Sequence, residues 1–383
     1  MIDKIRLSNF KSHKDTQLNF GNLTVLSGQN GVGKSSIIQA MLLLRQTNEK
    51  NRLNDILDLN SPLCFIGKSN DAIYRFPNEE FENEIGIVLK NQKHEYSWLF
   101  EIPKNQKKSY LQRKNDISDS DGYEELSLFN NKFQYLSAFR GVEYITDDYA
   151  VEFQKQISVN EGRGELVAQF LFEYGKKLKV IESLKHPLEK DDFLLSQVSA
   201  WEREISNNVN VIAVPFGDNY DIKYSFDTIP SDKKLGPVDE LSKKNVGFGL
   251  SYVLPIIVAI LSAEKDSLLL VENPEAHIHP YGISKLTELI CLAAQAGIQI
   301  IVETHSDHVI NGILVQNKKF TQSKEEKGID RQNVKIYHFD RDEKEHKTIY
   351  IEIEVNDNGV MENQPEKFFD QIENDLDDLY SSK

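Results

Sequence analysis

The sequence has only two cysteines among 383 residues, Cys64 and Cys291, far apart and in no CxxC pair. That scarcity excludes a disulfide framework and a zinc knuckle, and it implies a reducing compartment. Positive charge is also in deficit, since 45 Lys and Arg face 60 Asp and Glu for a formal net charge of −15. A protein that coats nucleic acid would be basic overall, so that class is excluded, whereas a local basic groove is not. Long apolar runs are absent. The densest, Leu250 to Leu261, is about a dozen residues interrupted by Pro255, short of the roughly 20 helical residues that cross a bilayer. The opening MIDKIRLSNF alternates apolar and polar residues instead of building the apolar core of a signal peptide. The expectation is a cytoplasmic protein with no membrane partner. No internal repeat or low-complexity segment occurs either.

What is present describes an ordinary globular chain, 39% hydrophobic and 27% charged, long enough for about two domains or one large domain with an inserted lobe. Ile2 to Phe10 and Leu23 to Ser27 are predicted strands, and Lys34 to Arg45, centred on IIQAMLLL, a buried helix. From about Ala72 to Leu136, short alternating runs such as Ile85 to Lys90 and Tyr96 to Ile102 predict a β-rich lobe. Glu165 to Leu178 and Phe193 to Ile205, broken by His186-Pro187, predict a helical hairpin. The chain then alternates helix Leu250 to Ala263, strand Leu268 to Val271, helix Ile283 to Ala296 and strand Gln299 to Val302, the pattern of a parallel sheet with crossover helices. A hairpin, Val334 to Phe339 with Thr348 to Val355, precedes an acidic amphipathic helix from about Pro365 to Leu379. These segments divide into residues 1–160, 161–210, 211–330 and 331–383.

Gly28-Gln29-Asn30-Gly31-Val32-Gly33-Lys34-Ser35 fits GxxxxGK[ST] between a predicted strand and a predicted helix. Glycines let such a loop wrap phosphates with backbone N–H groups, and the helix after it points its positive end at the anion. Asn30 to Lys34 would cradle the phosphates, Lys34 reaching the β and γ positions. Ser35 is the expected hydroxyl for Mg²⁺, and Ser36 is placed to touch the α-phosphate. A second element is the apolar strand Leu268 to Val271, which delivers Glu272, Asn273 and Glu275 at its C-terminal end, where α/β sheets bind ligands. Glu272 is the expected carboxylate for Mg²⁺. Strand Gln299 to Val302 runs into Glu303-Thr304-His305-Ser306, which puts His305 at the same edge to sense the γ-phosphate.

These motifs, in this order and with about 240 residues between phosphate loop and acidic strand, resemble the ABC-type ATPases of the SMC, RecF and OLD group. Simple GTPases and P-loop kinases place the two motifs closer, and no NKxD guanine motif occurs. LSNFKSHKDTQLNFGNLTVLSGQNGVGKSSIIQAMLLLRQ is similar to that group's first lobe. NVGFGLS (Asn245 to Ser251) is similar to a degenerate ABC signature, VENPEAHIHP to Walker B with its D-loop, and ETHSDHV to the switch-histidine segment. The ending, FDRDEKEHKTIYIEIEVNDNG followed by QPEKFFDQIENDLDDLY, resembles a C-terminal domain of unknown function that closes many bacterial ATPases of the group.

The resemblance implies an α/β fold: an ABC ATPase head with a P-loop parallel sheet flanked by helices, an antiparallel β lobe and a short helical insertion. It implies ATP and Mg²⁺ as cofactors, and a homodimer or higher homo-oligomer in which Gly247, Gly249 and Ser251 reach the partner's γ-phosphate. It further implies a separately encoded effector such as a nuclease, with nucleic acid as a further partner, in antiphage defence or a RecF-like repair setting. Two departures modify that picture. Asn273 occupies the position of the usual catalytic glutamate, which leaves Glu275 as the candidate base or hydrolysis slow, as in an ATP-locked switch. Only 78 residues (383 − 305) follow His305, too few for the TOPRIM nuclease domain of OLD proteins.

Other clusters have plainer readings. His277, His279, His305 and His308 have HxH and HxxH spacings that can hold Zn²⁺, yet both segments already have ATPase roles. Asp340 and Asp342 fit a solvated hairpin turn. Lys104, Lys107, Lys108, Arg113 and Lys114 around Tyr110 fit a solvated hairpin or a phosphate-backbone contact.

Overall fold

The structure, a computed structural model, describes residues 1–76, 83–103, 107–141, 145–206, 208–226, 240–323, 327–365, 368 and 371–380. Its centre is a six-stranded sheet in the order Phe133–Leu136, Leu268–Glu272, Gln299–Glu303, Leu23–Gly28, Val334–Asp342, Lys347–Ile353. The first five strands are mutually parallel and only the last is antiparallel. Strands such as LLLVE and QIIVE are apolar on both faces because both faces are covered.

Side chains alternate across a strand, so each strand feeds two cores. Leu269, Val271, Ile300, Val302, Leu23 and Val25 face a core built with helices Phe248–Ser262, Pro280–Gln295 and Asp307–Gln322. Leu268, Leu270, Ile301 and Leu26 face the opposite way, toward helix Lys34–Glu49 and the second sheet. That second sheet is antiparallel and six-stranded, in the order His13–Asn19, Lys4–Phe10, Glu84–Lys90, Glu95–Glu101, Tyr110–Arg113, Ile56–Asp58. Ile5, Leu7, Ile85, Ile87, Leu89, Tyr96, Trp98 and Phe100 alternate inward from it. The ABC-head fold class expected from the motifs is therefore present, both lobes packed through helix Lys34–Glu49.

Several local expectations shift. The two insertion helices are shorter, Val167–Tyr174 and Leu194–Arg203. A β-hairpin, Val209–Phe216 with Asn219–Phe226, follows them without a counterpart in the sequence pattern; its first strand lacks clean alternation and carries Pro215 next to its end. Helix Asp307–Gln322 was also missed. Its Gly312 weakens the helical signal, but the residue lies so close to Thr287 that a Cβ would come within 2.8 Å of Thr287 Cγ2, so tight helix packing selects glycine there. The terminal helix is Gln371–Tyr380. Lys104 and residues 366–367 and 369–370 of the expected terminal helix lie outside the described residues, as does most of the polar stretch before Asn245. Among the described residues no helix is long and apolar enough to cross a membrane.

Candidate nucleotide site

Parallel strands end on one edge, and that edge gathers the candidate residues. Strand Leu23–Gly28 runs into the phosphate loop, in which Gly28, Gly31 and Gly33 have φ of 132°, 81° and 107°. These are left-handed values that favour glycine. Asn30 and Gly31 are exposed, Val32 and Ser36 buried. No side chain caps helix Lys34–Glu49, so its first amides remain available to an anion. The Lys34 ammonium is buried and bridges the carbonyls of Gly28 (2.9 Å) and Gln29 (2.7 Å). Burial pulls its pKa down, against the attraction of Glu303 and Glu275.

Two neighbouring strand ends and the turn after one of them carry acids in distinct roles. Glu272, opposite Glu303 in the sheet register, is held by the Tyr135 hydroxyl (3.1 Å) and the Ala138 amide (3.3 Å); burial raises its pKa. The Ser35 hydroxyl donates not to Glu272, its expected metal-site companion, but to Glu303 Oε1 at 2.8 Å. Burial, reinforced by Glu272, pushes the Glu303 carboxyl up to about 7. The sequence named Glu303 only as the residue before a histidine segment; its value as a ligand depends on the strand pairing, which spacing alone does not reveal.

Asn273 takes a left-handed conformation, φ 45°, and its amide donates to the Glu303 carbonyl at 2.7 Å. The turn after it brings Glu275 back over the sheet edge, where Oε1 accepts from the Thr304 hydroxyl (2.8 Å) and the His305 amide (3.0 Å). His305 Nδ1 donates to the Gly28 carbonyl at 3.1 Å. Burial and the nearby Lys34 push the His305 pKa down, so the ring is neutral at pH 7. Arg140, which sequence reasoning passed over, is buried and donates to the carbonyls of Glu272, Asn273 (2.8 Å) and Tyr252 (3.3 Å). It ties the acidic strand end to helix Phe248–Ser262.

That helix starts two residues earlier than expected, with Gly247 as an N-cap that makes no side-chain bond. Gly247 and Phe248 are exposed, and Gly249 abuts the His277 carbonyl, which a Cβ would approach to 2.5 Å. Ser251, expected at the partner-facing end, is instead buried one turn in, because the helix begins at Phe248 and turns that position toward the core.

Residues 23–311 match the family of AAA domains described as putative AbiEii toxin, Type IV TA system. The chain belongs to this family. It is an ABC/SMC-like P-loop ATPase by family and fold. Residues 329–379 match a family described as a protein of unknown function, DUF3696. A stretch of 60 residues is 47% identical to the DNA double-strand break repair Rad50 ATPase of Sulfolobus acidocaldarius, covering 15% of this chain and 7% of that protein. A stretch of 42 residues is 52% identical to the Rad50 ATPase of Methanococcus maripaludis, covering 11% and 4%. The matches thus span less than a tenth of those curated relatives. Among solved structures, an SMC head bound to the C-winged helix domain of ScpA aligns with a TM-score of 0.50 at 16% identity, over 92% of this chain and 98% of that one. An SMC head with an extended coiled coil, bound to the C-terminal domain of ScpA derived from Pyrococcus furiosus, gives 0.50 at 14% identity over 99% of both. At these identities the likeness is one of fold.

The donor set suits Mg²⁺. Glu303 Oε2 is buried with no hydrogen-bond partner among the described residues, and the Ser35 hydroxyl adjoins its other oxygen. Mg²⁺ takes one or two carboxylates and completes its shell with phosphate oxygens and water. Among the described residues no group of three or more His, Cys, Asp or Glu side chains gathers into a cage; His277 packs edge-on against Phe248 and Tyr252, and His305 is bonded to the Gly28 carbonyl. Asp340 and Asp342 lie near the hairpin turn, where Asp342 accepts from the Lys344 and Glu345 amides.

Proposed function

We propose that the chain binds ATP with Mg²⁺ at this edge and hydrolyses it, two heads closing around the nucleotide to control a separately encoded effector such as a nuclease acting on nucleic acid. The carrying observation is the convergence of Lys34, the Ser35–Glu303 pair, Glu275 and His305 on one sheet edge. Ser35 with Glu303 or Glu272 would hold the metal, which neutralises phosphate charge. Lys34 exchanges its two carbonyl partners for phosphate oxygens. Glu275, anchored through one oxygen, presents the other as base toward water, and neutral His305 leaves Nε2 free to orient that water. The uncapped helix start at Gly247 to Gly249 suits contact with a partner's phosphate. Defence or repair settings fit this family, and a cytoplasmic location fits its sequence.

A second reading is favoured by Asn273, whose amide cannot accept a proton: ATP locks an assembly and turnover is incidental. Both readings require ATP binding. In Lys34→Ala a fixed cation is gone, and calorimetric titration should show at least a tenfold weaker ATP complex. Undiminished affinity in the folded variant rejects the site. Gly247→Asp adds negative charge where a Cβ meets open space. Light scattering should then show reduced ATP-dependent dimerisation, and unchanged dimerisation removes the signature role.

A further inference from the structure

Both glycines that bracket the phosphate loop are backed by the C-terminal hairpin. A Cβ on Gly28 would sit 2.3 Å from the Phe339 carbonyl oxygen, and one on Gly33 2.3 Å from Thr348 Oγ1 and 2.7 Å from Ser12 Oγ. Phe339 pairs with Gly28 in the parallel register. The Thr348 hydroxyl donates to the Val32 carbonyl at 2.8 Å and lies 2.7 Å from the Ser12 hydroxyl, while the Thr348 amide donates to the Ser12 carbonyl at 2.8 Å. Beside it, buried His13 donates through Nε2 to the Gly33 carbonyl at 3.0 Å. Burial lowers the His13 pKa to about 4, so the ring is neutral, and the Thr16 hydroxyl at 2.9 Å donates to Nδ1.

In a planar trans peptide the C=O and N–H point in opposite directions. Holding the Val32 and Gly33 carbonyls from below therefore aims the Gly33 and Lys34 N–H groups to the far side of the loop, where an anion binds. The hairpin turn is itself docked on the antiparallel lobe, since the Tyr74 hydroxyl donates to the Glu345 carbonyl and Phe76 stacks on His346 at 5.7 Å.

We propose that this hairpin, within the region matched only to a family of unknown function, forms the floor of the nucleotide site, with Thr348 a positioning residue that aims the phosphate-loop amides. Nucleotide binding and hairpin docking are then thermodynamically linked, each tightening the other. The proposal rests on the ATP-binding reading above.

The test uses the full chain with ATP and with ADP, titrated by calorimetry into the wild type, Thr348→Val and Thr348→Ser. Losing one net hydrogen bond should weaken both nucleotides about 3- to 10-fold in Thr348→Val, and the hydroxyl of Thr348→Ser should restore wild-type affinity. Hydrogen exchange should slow across residues 334–353 when ATP binds the wild type. If the wild type binds no ATP, the parent reading fails. If it binds, and Thr348→Val matches it, the floor proposal is overturned. Should Thr348→Val not fold, the exchange measurement decides: hairpin amides indifferent to bound ATP also overturn it.

Discussion

The hydroxyl of Ser35, at the head of the phosphate-loop helix, donates to the carboxylate of Glu303 on the next strand at 2.8 Å. The bond joins two segments that are 268 positions apart in the chain, and in the proposed reading it makes Glu303, with Glu272 beside it, a carboxylate that would hold Mg²⁺. Asn273, Glu275 and His305 surround the place where water would approach.

Replacing Glu303 by Gln keeps an oxygen that accepts from Ser35 but removes the charge. Mg²⁺-supported ATP turnover should fall about 10- to 100-fold, the usual cost of losing a partner around a metal. ATP binding measured in EDTA should change little. Glu303 sits near 7 through burial beside Glu272, and it must lose its proton to serve a cation. Turnover should therefore rise between pH 6 and 8 in the wild type, whereas a profile of the same shape in Glu303→Gln would rule this group out as the cause.

The base can be identified by two variants measured together. If Glu275 takes the proton from water, Glu275→Gln should lower kcat by about 10² to 10⁴ with ATP affinity nearly unchanged. If it only braces Thr304 and His305, that variant turns over like the parent, and Asn273→Glu raises the rate by restoring a carboxylate beside the water. Steady-state rates of the pair separate a working ATPase from an ATP-locked switch.

Glu202 in helix Leu194–Arg203 is fully buried, and neither of its carboxylate oxygens has a hydrogen-bond partner among the described residues. Burial raises its pKa well above the ordinary carboxylate range. The folded state thus holds this proton more tightly than the unfolded one. Its contribution is favourable at low pH and is lost as pH climbs through the unfolded value toward the folded one. Glu202→Gln, neutral at every pH, should melt close to the wild type in acid and progressively higher as pH rises above the ordinary carboxylate value of 4.5. A constant difference in Tm across pH would show that Glu202 does not titrate with folding.

The sequence by itself determined the phosphate loop, because glycines at fixed offsets, a lysine and a strand-to-helix context are all local. It also determined the apolar strands Leu268–Glu272 and Gln299–Glu303, whose unbroken hydrophobicity follows from burial on both faces, and hence a parallel α/β sheet; the ABC-type head came from the resemblance that the ordered motifs carry. The partners of those strands were not legible. Pairing is a nonlocal event, and only it puts Glu303 opposite Glu272 and beside Ser35. Likewise, nothing near Gly28 or Gly33 in the chain announces Phe339 and Thr348. A motif fixes what the loop can do; the strand order of the folded sheet decides which distant carbonyls, hydroxyls and carboxylates are within 3 Å of it, because backbone hydrogen bonds between strands carry no record in the spacing of either strand.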